Sequence, residues 1–143
     1  MAKSVRDAMT GDPRSVATSA SVVEAARLMR EAHIGSLPVT DGEQLVGMIT
    51  DRDITTRVVA EAGDPQTMSV GDVYSRDVIS VEADENDEEA VELMARHQVR
   101  RLPVVEDGRL IGIVAQADIA LAENEKTGEL VEAISKPSET ERR

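Results

Sequence analysis

The sequence predicts an α+β protein in which one β-α-β-β-α unit occurs twice, packed sheet to sheet with pseudo-twofold symmetry. Three observations carry that expectation. Leu37-Pro38-Val39 recurs 65 positions on as Leu102-Pro103-Val104, and one register holds from Ser4/Ser69 to Ile54/Ile119. Each copy has an Asp-Gly step between two apolar runs, which signals a hairpin. Each copy also has a capped run of helical period ahead of that hairpin.

The shared register pairs Ser15-Val16 with Ser80-Val81, Glu24-Ala25 with Glu89-Ala90 and Leu28-Met29 with Leu93-Met94. It also pairs Gly47 with Gly112 and Asp53 with Asp118. Chance does not keep one offset over such a span, so the chain is a tandem duplication. The repeats are 4–62 and 69–125, and 126–143 is a short C-terminal helix and flexible tail, polar from Lys136 onward.

The elements follow in order within each copy. Ser4-x-x-Asp7 and Ser69-x-x-Asp72 have the spacing of capping boxes that open a short helical turn. A short strand follows near 15–17 and near 78–81. Ser21-x-x-Glu24 and Asn86-x-x-Glu89 then cap a longer helix. The positions that follow helical spacing are Val22, Ala25, Ala26, Met29 and Ala32 in copy one, and Ala90, Leu93, Met94 and His97 in copy two. Residues 37–40 meet 44–50 across Asp41-Gly42, and 102–105 meet 110–114 across Asp107-Gly108. A second helix closes each copy, over 51–62 and 116–124. One copy alone would have a marginal core.

Composition excludes several function classes. The chain has 143 residues, 41% apolar but only 1% aromatic, so its core is aliphatic. With one Tyr and no Phe or Trp, it lacks the rings that stack on single-stranded nucleic acid. Without Cys it has no disulfide, thiolate metal site or cysteine nucleophile. Two His are too few for the usual all-protein transition-metal site. Sixteen basic against 28 acidic residues give a net charge of −12, which repels nucleic acid and anionic membranes. No apolar run is long enough to span a bilayer, and the start has no signal-peptide core, so the expected location is the cytoplasm.

The repeated unit, with Leu-Pro-Val before each hairpin and Gly47-Met48-Ile49-Thr50-Asp51-Arg52-Asp53 after the first, resembles the CBS domain. Two in tandem form a Bateman module. The resemblance runs from about Val5 to Ala122 and is to stand-alone bacterial two-CBS proteins. Among these, the hypoxic response protein group is similar at His97-Gln98-Val99-Arg100-Arg101-Leu102-Pro103-Val104. It implies regulation rather than chemistry. It implies an adenine nucleotide (AMP, ADP or ATP) or S-adenosylmethionine bound between the repeats, and a homodimer that signals to a regulated protein. By the family's pattern, Asp53 would take the ribose hydroxyls, Thr50 would lie near the phosphates, and Arg100 and Arg101 would receive phosphate charge.

The side-chain chemistry is consistent with that. A carboxylate only accepts hydrogen bonds, which suits two vicinal hydroxyls. Arg grips phosphate bidentately. Val16, Ile34, Pro38 and Met48 would line an adenine slot without an aromatic ring. Gly47 inside a strand marks a close backbone approach, either to a ligand or to the other copy.

Plainer readings exist beside these. Thr50-x-x-Asp53 is also a capping box. Asp118 keeps the carboxylate where Ala115 has replaced the Thr, so the second cleft is the weaker candidate. Arg96, Arg100, Arg101 and Arg109 either hold phosphate or pair with the seven carboxylates of 82–92. His33 and His97 end their helices and suit the helix dipole better than a metal. Arg52 and Arg57 serve either a dimer contact or solubility. No nucleophile–base pair, P-loop or metal triad appears, so no enzyme is expected. The alternative to a nucleotide sensor is a ligand-independent dimeric interaction module.

Overall fold

The structure, a computed structural model, describes residues 4–127. The tail expected beyond them lies outside the described residues. In chain order the elements are α1 (Val5–Ala8), β1 (Thr10–Gly11), β2 (Val16–Ala17), α2 (Val22–Ala32), β3 (Ser36–Asp41), β4 (Gln44–Thr50) and α3 (Asp51–Ile54). A π-helical turn over Thr55–Val59 continues α3, and a 3-10 turn spans Val70–Asp72. Then come β5 (Val81–Glu82), α4 (Asp87–His97), β6 (Arg101–Glu106), β7 (Arg109–Ala115) and α5 (Gln116–Thr127). The β-α-β-β-α order therefore stands in both copies. The chain forms two compact units.

The first unit is Arg14–Val78 with Gly108–Leu110. Ser21 caps α2, its side chain accepting from the Glu24 N–H at 3.1 Å. This satisfies one of the four N–H donors that a helix start leaves open. The helix buries Val22, Ala25 and Met29, one stripe of a 3.6-residue period. It ends at His33, which adopts a left-handed conformation (φ 58°) and returns its backbone N–H to Arg30 and Met29. The backbone of His33 thus closes the helix, and the Ile34 N–H adds a bond to Met29 C=O at 3.0 Å.

The helix connects two parallel strands, β2 and β3, with Val16 opposite Val39. Strand β4 then returns antiparallel, with Leu37 opposite Ile49 and Pro38 opposite Met48. The hairpin turn differs from expectation by one residue. Asp41 still pairs with Gln44, so the loop is Gly42-Glu43, with Gly42 at φ 64°. A positive φ at the first loop position favours Gly, and Asp41 is the last strand residue. In the second copy the loop is Asp107-Gly108, both at positive φ, as a type I′ turn requires. That second turn lies against β4, where the Leu45 N–H donates to Gly108 C=O at 3.0 Å.

The first core joins Val16, Val22, Ala25, Met29, Leu37, Val39, Ile49 and Val58 to Val70 and Val73. The last two belong in sequence to the second repeat. Among the described residues, the second unit contains 4–13, Ile79–Asp107 and 111–127. Its core joins Val81, Ala83, Ala90, Met94, Leu102, Val104, Val114 and Ile119 to Val5, from the head of the first repeat. The compact units are therefore offset from the repeats 4–62 and 69–125. Each repeat lends its leading segment to the other's core.

The exchange explains Gly47 and Gly112. A Cβ on Gly47 would lie 2.2 Å from Ser75 C=O and 2.6 Å from the Tyr74 ring. Met48 and Ser75 exchange backbone hydrogen bonds of 2.9 and 2.8 Å beside it. Gly112 is in the same position against Met9 and Thr10, where β1 pairs with β7. Of the two partners read for Gly47, the close approach is thus to the other copy, whose leading segment completes this unit.

In the second unit β5 runs parallel to β6, with Val81 opposite Val104, and β6 neighbours β7. Asn86 caps α4 by accepting from the Glu89 N–H at 2.9 Å. The helix ends with Gln98 at φ 58°, so Gln98, not His97, is the counterpart of His33. His97 is an exposed residue of the last helical turn. The capping box expected at Ser4 is incomplete. Its hydroxyl donates to Asp7 Oδ2 at 3.2 Å, and no backbone N–H is capped by it. Arg6 anchors α1 instead, bridging Glu106 and Asp84, and those partners hold its guanidinium pKa above the ordinary value. Asp87 is 1% exposed and stands where the first unit has Val22. Its Oδ1 has no hydrogen-bond partner among the described residues.

Two substitutions test this packing. Gly47→Ala is expected to lower stability by about 3 kcal/mol, since backbone cannot retreat as a side chain can. A urea midpoint within error of the parent would contradict the close approach. Asp87→Val, which copies Val22, is expected to raise stability by about 1 kcal/mol by removing an unsatisfied buried oxygen. A lower melting temperature for this variant would show that the carboxylate stabilises α4.

Candidate functional site

The strand alternation of β3 and β4 sorts the candidate residues by face. Leu37, Val39 and Ile49 point into the first core. Ser36, Pro38, Met48 and Thr50 share the other face, with Ser36 opposite Thr50 and Pro38 opposite Met48. Directly opposed residues have Cβ atoms roughly 5 Å apart, so Pro38 and Met48 form one apolar step. Val16 is not part of it. Its partner across β2–β3 is Val39, which puts its side chain on the core face, 4% exposed. Ala17, paired with Thr40, is the β2 residue on the Pro38 face, and the period-2 alternation of the strand was the signal for it. Ile34 is half-buried and packs against the first core, directly after the helix cap.

Thr50 and Asp53 form a complete capping box. The Asp53 N–H donates to Thr50 Oγ1 at 2.9 Å, and the Thr50 N–H donates to Asp53 Oδ2 at 3.0 Å. The capping reading of this motif is therefore realised. It leaves ligand chemistry available, because a carboxylate offers about four lone-pair directions and the box uses one. The Thr50 hydroxyl accepts from the backbone and keeps its proton to donate. Arg57 Nε stands 3.8 Å from Asp53 Oδ1, while its Nη1 donates to Val73 C=O at 3.1 Å. Arg57 thus ties α3 and its π-helical turn to the segment borrowed from the second repeat. This is a role within the unit that the sequence reading did not name.

The second unit gathers the other candidates. The Gln116 N–H donates to Arg100 C=O at 2.8 Å, which joins the start of α5 to the Arg100-Arg101 step. Arg101 opens β6, and Asp118 is in the first turn of α5, half-buried. Of the four arginines, Arg96 and Arg109 have carboxylate partners, Arg109 as part of the first unit. Arg96 lies 3.9 Å from Glu92 on its own helix, and Arg109 lies 3.8 Å from Glu43. Such exposed pairs contribute little stability. The site residues thus fall into two sets. Ile34, Pro38, Met48, Thr50 and Asp53 belong to the first unit, and Arg100, Arg101 and Asp118 belong to the second.

Comparison with known proteins places the fold. The CBS domain model matches residues 5–60 and 70–125. The chain is 41% identical over 134 residues to the CBS domain-containing protein YhcV of Bacillus subtilis, covering 92% of this chain and 95% of that one. It is 40% identical over 116 residues to Hypoxic response protein 1 of Mycobacterium tuberculosis, covering 80% and 81%. The crystal structure of Hypoxic Response Protein I with two coordinated zinc ions superposes with a TM-score of 0.73 at 39% identity, over 82% and 97% of the chains. Among the described residues of this chain, no three His, Asp or Glu side chains cluster as a metal site needs. CBSX2 in complex with AMP matches at TM-score 0.71 and 30% identity, over 87% and 98%. A CBS domain pair in complex with 5′-methylthioadenosine and S-adenosyl-L-methionine matches at 0.69 and 28%, over 88% and 99%. The duplicated β-α-β-β-α order, the exchanged leading segments and these matches all agree: the chain belongs to the CBS domain family and carries two CBS domains in tandem.

Proposed function

We propose that this CBS pair is a non-catalytic, cytoplasmic regulatory protein that binds an adenine nucleotide and passes its binding state to a partner protein. The observation that carries this reading is the likeness to two CBS pairs whose structures hold AMP or S-adenosyl-L-methionine. Asp53 accepts the ribose hydroxyls on lone pairs that the capping box leaves open. Pro38 and Met48 offer an aliphatic face to the base. Arg100 and Arg101 supply positive charge for phosphate, and Asp118 is the second repeat's weaker counterpart of Asp53. Binding acts by population shift, favouring whichever arrangement the partner distinguishes.

A second reading, a ligand-independent dimeric interaction module, is favoured by exposed apolar side chains. Val59 on the π-helical turn is 65% exposed and Leu121 on α5 is 47% exposed. A homodimer would cover such positions in either reading.

Calorimetry of the full chain against AMP, ADP, ATP and S-adenosylmethionine separates the two readings. Saturable heat with at least one of them is expected, and none at millimolar ligand would leave the interaction module standing. Asp53→Asn keeps an oxygen for the Thr50 N–H while removing the charge. It is expected to weaken nucleotide binding about tenfold or more, with a melting temperature within a few degrees of the parent, since one good charge-assisted hydrogen bond is worth roughly 1.5–3 kcal/mol. Unchanged affinity would remove Asp53 from the site.

A further inference from the structure

We infer that Arg57 is a positioning residue that links occupancy of Asp53 to the seating of the borrowed segment Val70–Ser75, so that a nucleotide in the first unit tightens the leading segment of the second repeat. This rests on the nucleotide reading above and extends it to how occupancy is passed on.

The borrowed segment is fastened to the candidate site at two points. Ser75 and Met48 exchange backbone hydrogen bonds of 2.8 and 2.9 Å. Arg57 makes the second fastening. Its Nη1 donates to Val73 C=O at 3.1 Å and to Tyr74 C=O at 3.4 Å, and its Nε stands 3.8 Å from Asp53 Oδ1. Each fastening therefore ends on a residue of the site, Met48 or Asp53. An arginine can serve both ends at once, because its N–H donors are fixed in one planar fork. A lysine offers a single point charge and must choose.

The distances set the sign of the link. At 3.8 Å, Nε is beyond hydrogen-bond distance of Asp53, and the two carbonyls keep it there. Oδ2 takes the Thr50 N–H, so Oδ1 is the oxygen left open for a ribose hydroxyl. A hydroxyl that donates to Asp53 weakens its pull on the guanidinium, which is then left to Val73 and Tyr74. Occupancy thus tightens the segment. By reciprocity, a seated segment holds Arg57 back and keeps Asp53 open. The second repeat lacks this device in its sequence. It keeps Asp118 for Asp53 but has Ala122 at the place of Arg57, 65 positions on.

The experiment uses the full chain. Calorimetry with AMP, ADP, ATP and S-adenosylmethionine picks the tightest binder, and amide hydrogen exchange is then followed with and without that compound at saturation. In the parent, occupancy is expected to slow exchange at the Ser75 and Met48 amides about fivefold or more, the low end of usual coupling factors. The amides of 9–11, the counterpart segment, are expected to be unchanged. Arg57→Met is expected to keep saturable heat and lose the slowing. Arg57→Lys, a milder change should the first variant not fold, is expected to lose the slowing too. Its ammonium pairs with Asp53 directly, so binding also weakens about fivefold, the worth of one partly exposed ion pair. Slowing retained in either variant would overturn the inference. So would equal slowing at 9–11 in the parent, which marks general stabilisation, or no slowing at all beside saturable heat; both leave the nucleotide reading standing. No heat with any of the four compounds would overturn that reading, and this inference with it.

Discussion

Everything else in this chain depends on the exchange of leading segments between its repeats. Val70 and Val73 complete the core built by the first repeat, and Val5 completes the core built by the second. Neither repeat can bury its apolar face alone. The joint is sealed by backbone as well as side chains. Ser75 hydrogen bonds with Met48, and β1 pairs with β7. Gly47 and Gly112 are bare because another segment of chain lies within about 3 Å of where their Cβ atoms would be. The repeat period and the stable unit are therefore different lengths of chain.

That exchange also shapes the candidate site. Arg57 reaches from the π-helical turn to the carbonyl of Val73, so the borrowed segment and the Asp53 carboxylate share one arginine. The turn itself has an i→i−5 bond, Ala60 N–H to Thr55 C=O at 2.8 Å. Such π-turns insert a residue into a helix and are frequent at functional sites. Asp53 thus serves two needs at once. It closes a capping box and keeps acceptor capacity next to Thr50, the strand residue that shares a face with Pro38 and Met48. A cap and a ligand contact compete only when the carboxylate runs out of lone pairs, and here it does not.

Legibility varied with the range of the interaction. The helix starts at Ser21, Asn86 and Thr50 were readable because capping is local, three residues long and chemically specific. Ser4 had the same spacing and fails as a cap, because Asp7 takes its hydroxyl proton. The hairpins were readable as hairpins, but Asp41 was mistaken for a turn residue. The first turn uses Gly42-Glu43 and the second Asp107-Gly108, and only φ distinguishes them. Val16 was misassigned because a two-residue strand does not reveal its face until its partner is known. His33 was read as a dipole partner, whereas its backbone adopts the left-handed cap.

The sequence by itself determined the duplication, the order of elements, the aliphatic core and the capping motifs. All of these are written in spacing and composition, and each needs only neighbours along the chain or the comparison of one copy with the other. Tertiary structure alone decided which segment completes which core and which face Val16 occupies. It also decided what Gly47 makes room for, and that Arg57 joins Asp53 to Val73. Those outcomes depend on contacts between residues far apart in sequence. Nothing in local propensity encodes them, because a Val on a two-residue strand or a Gly in a β-run fits more than one partner equally well.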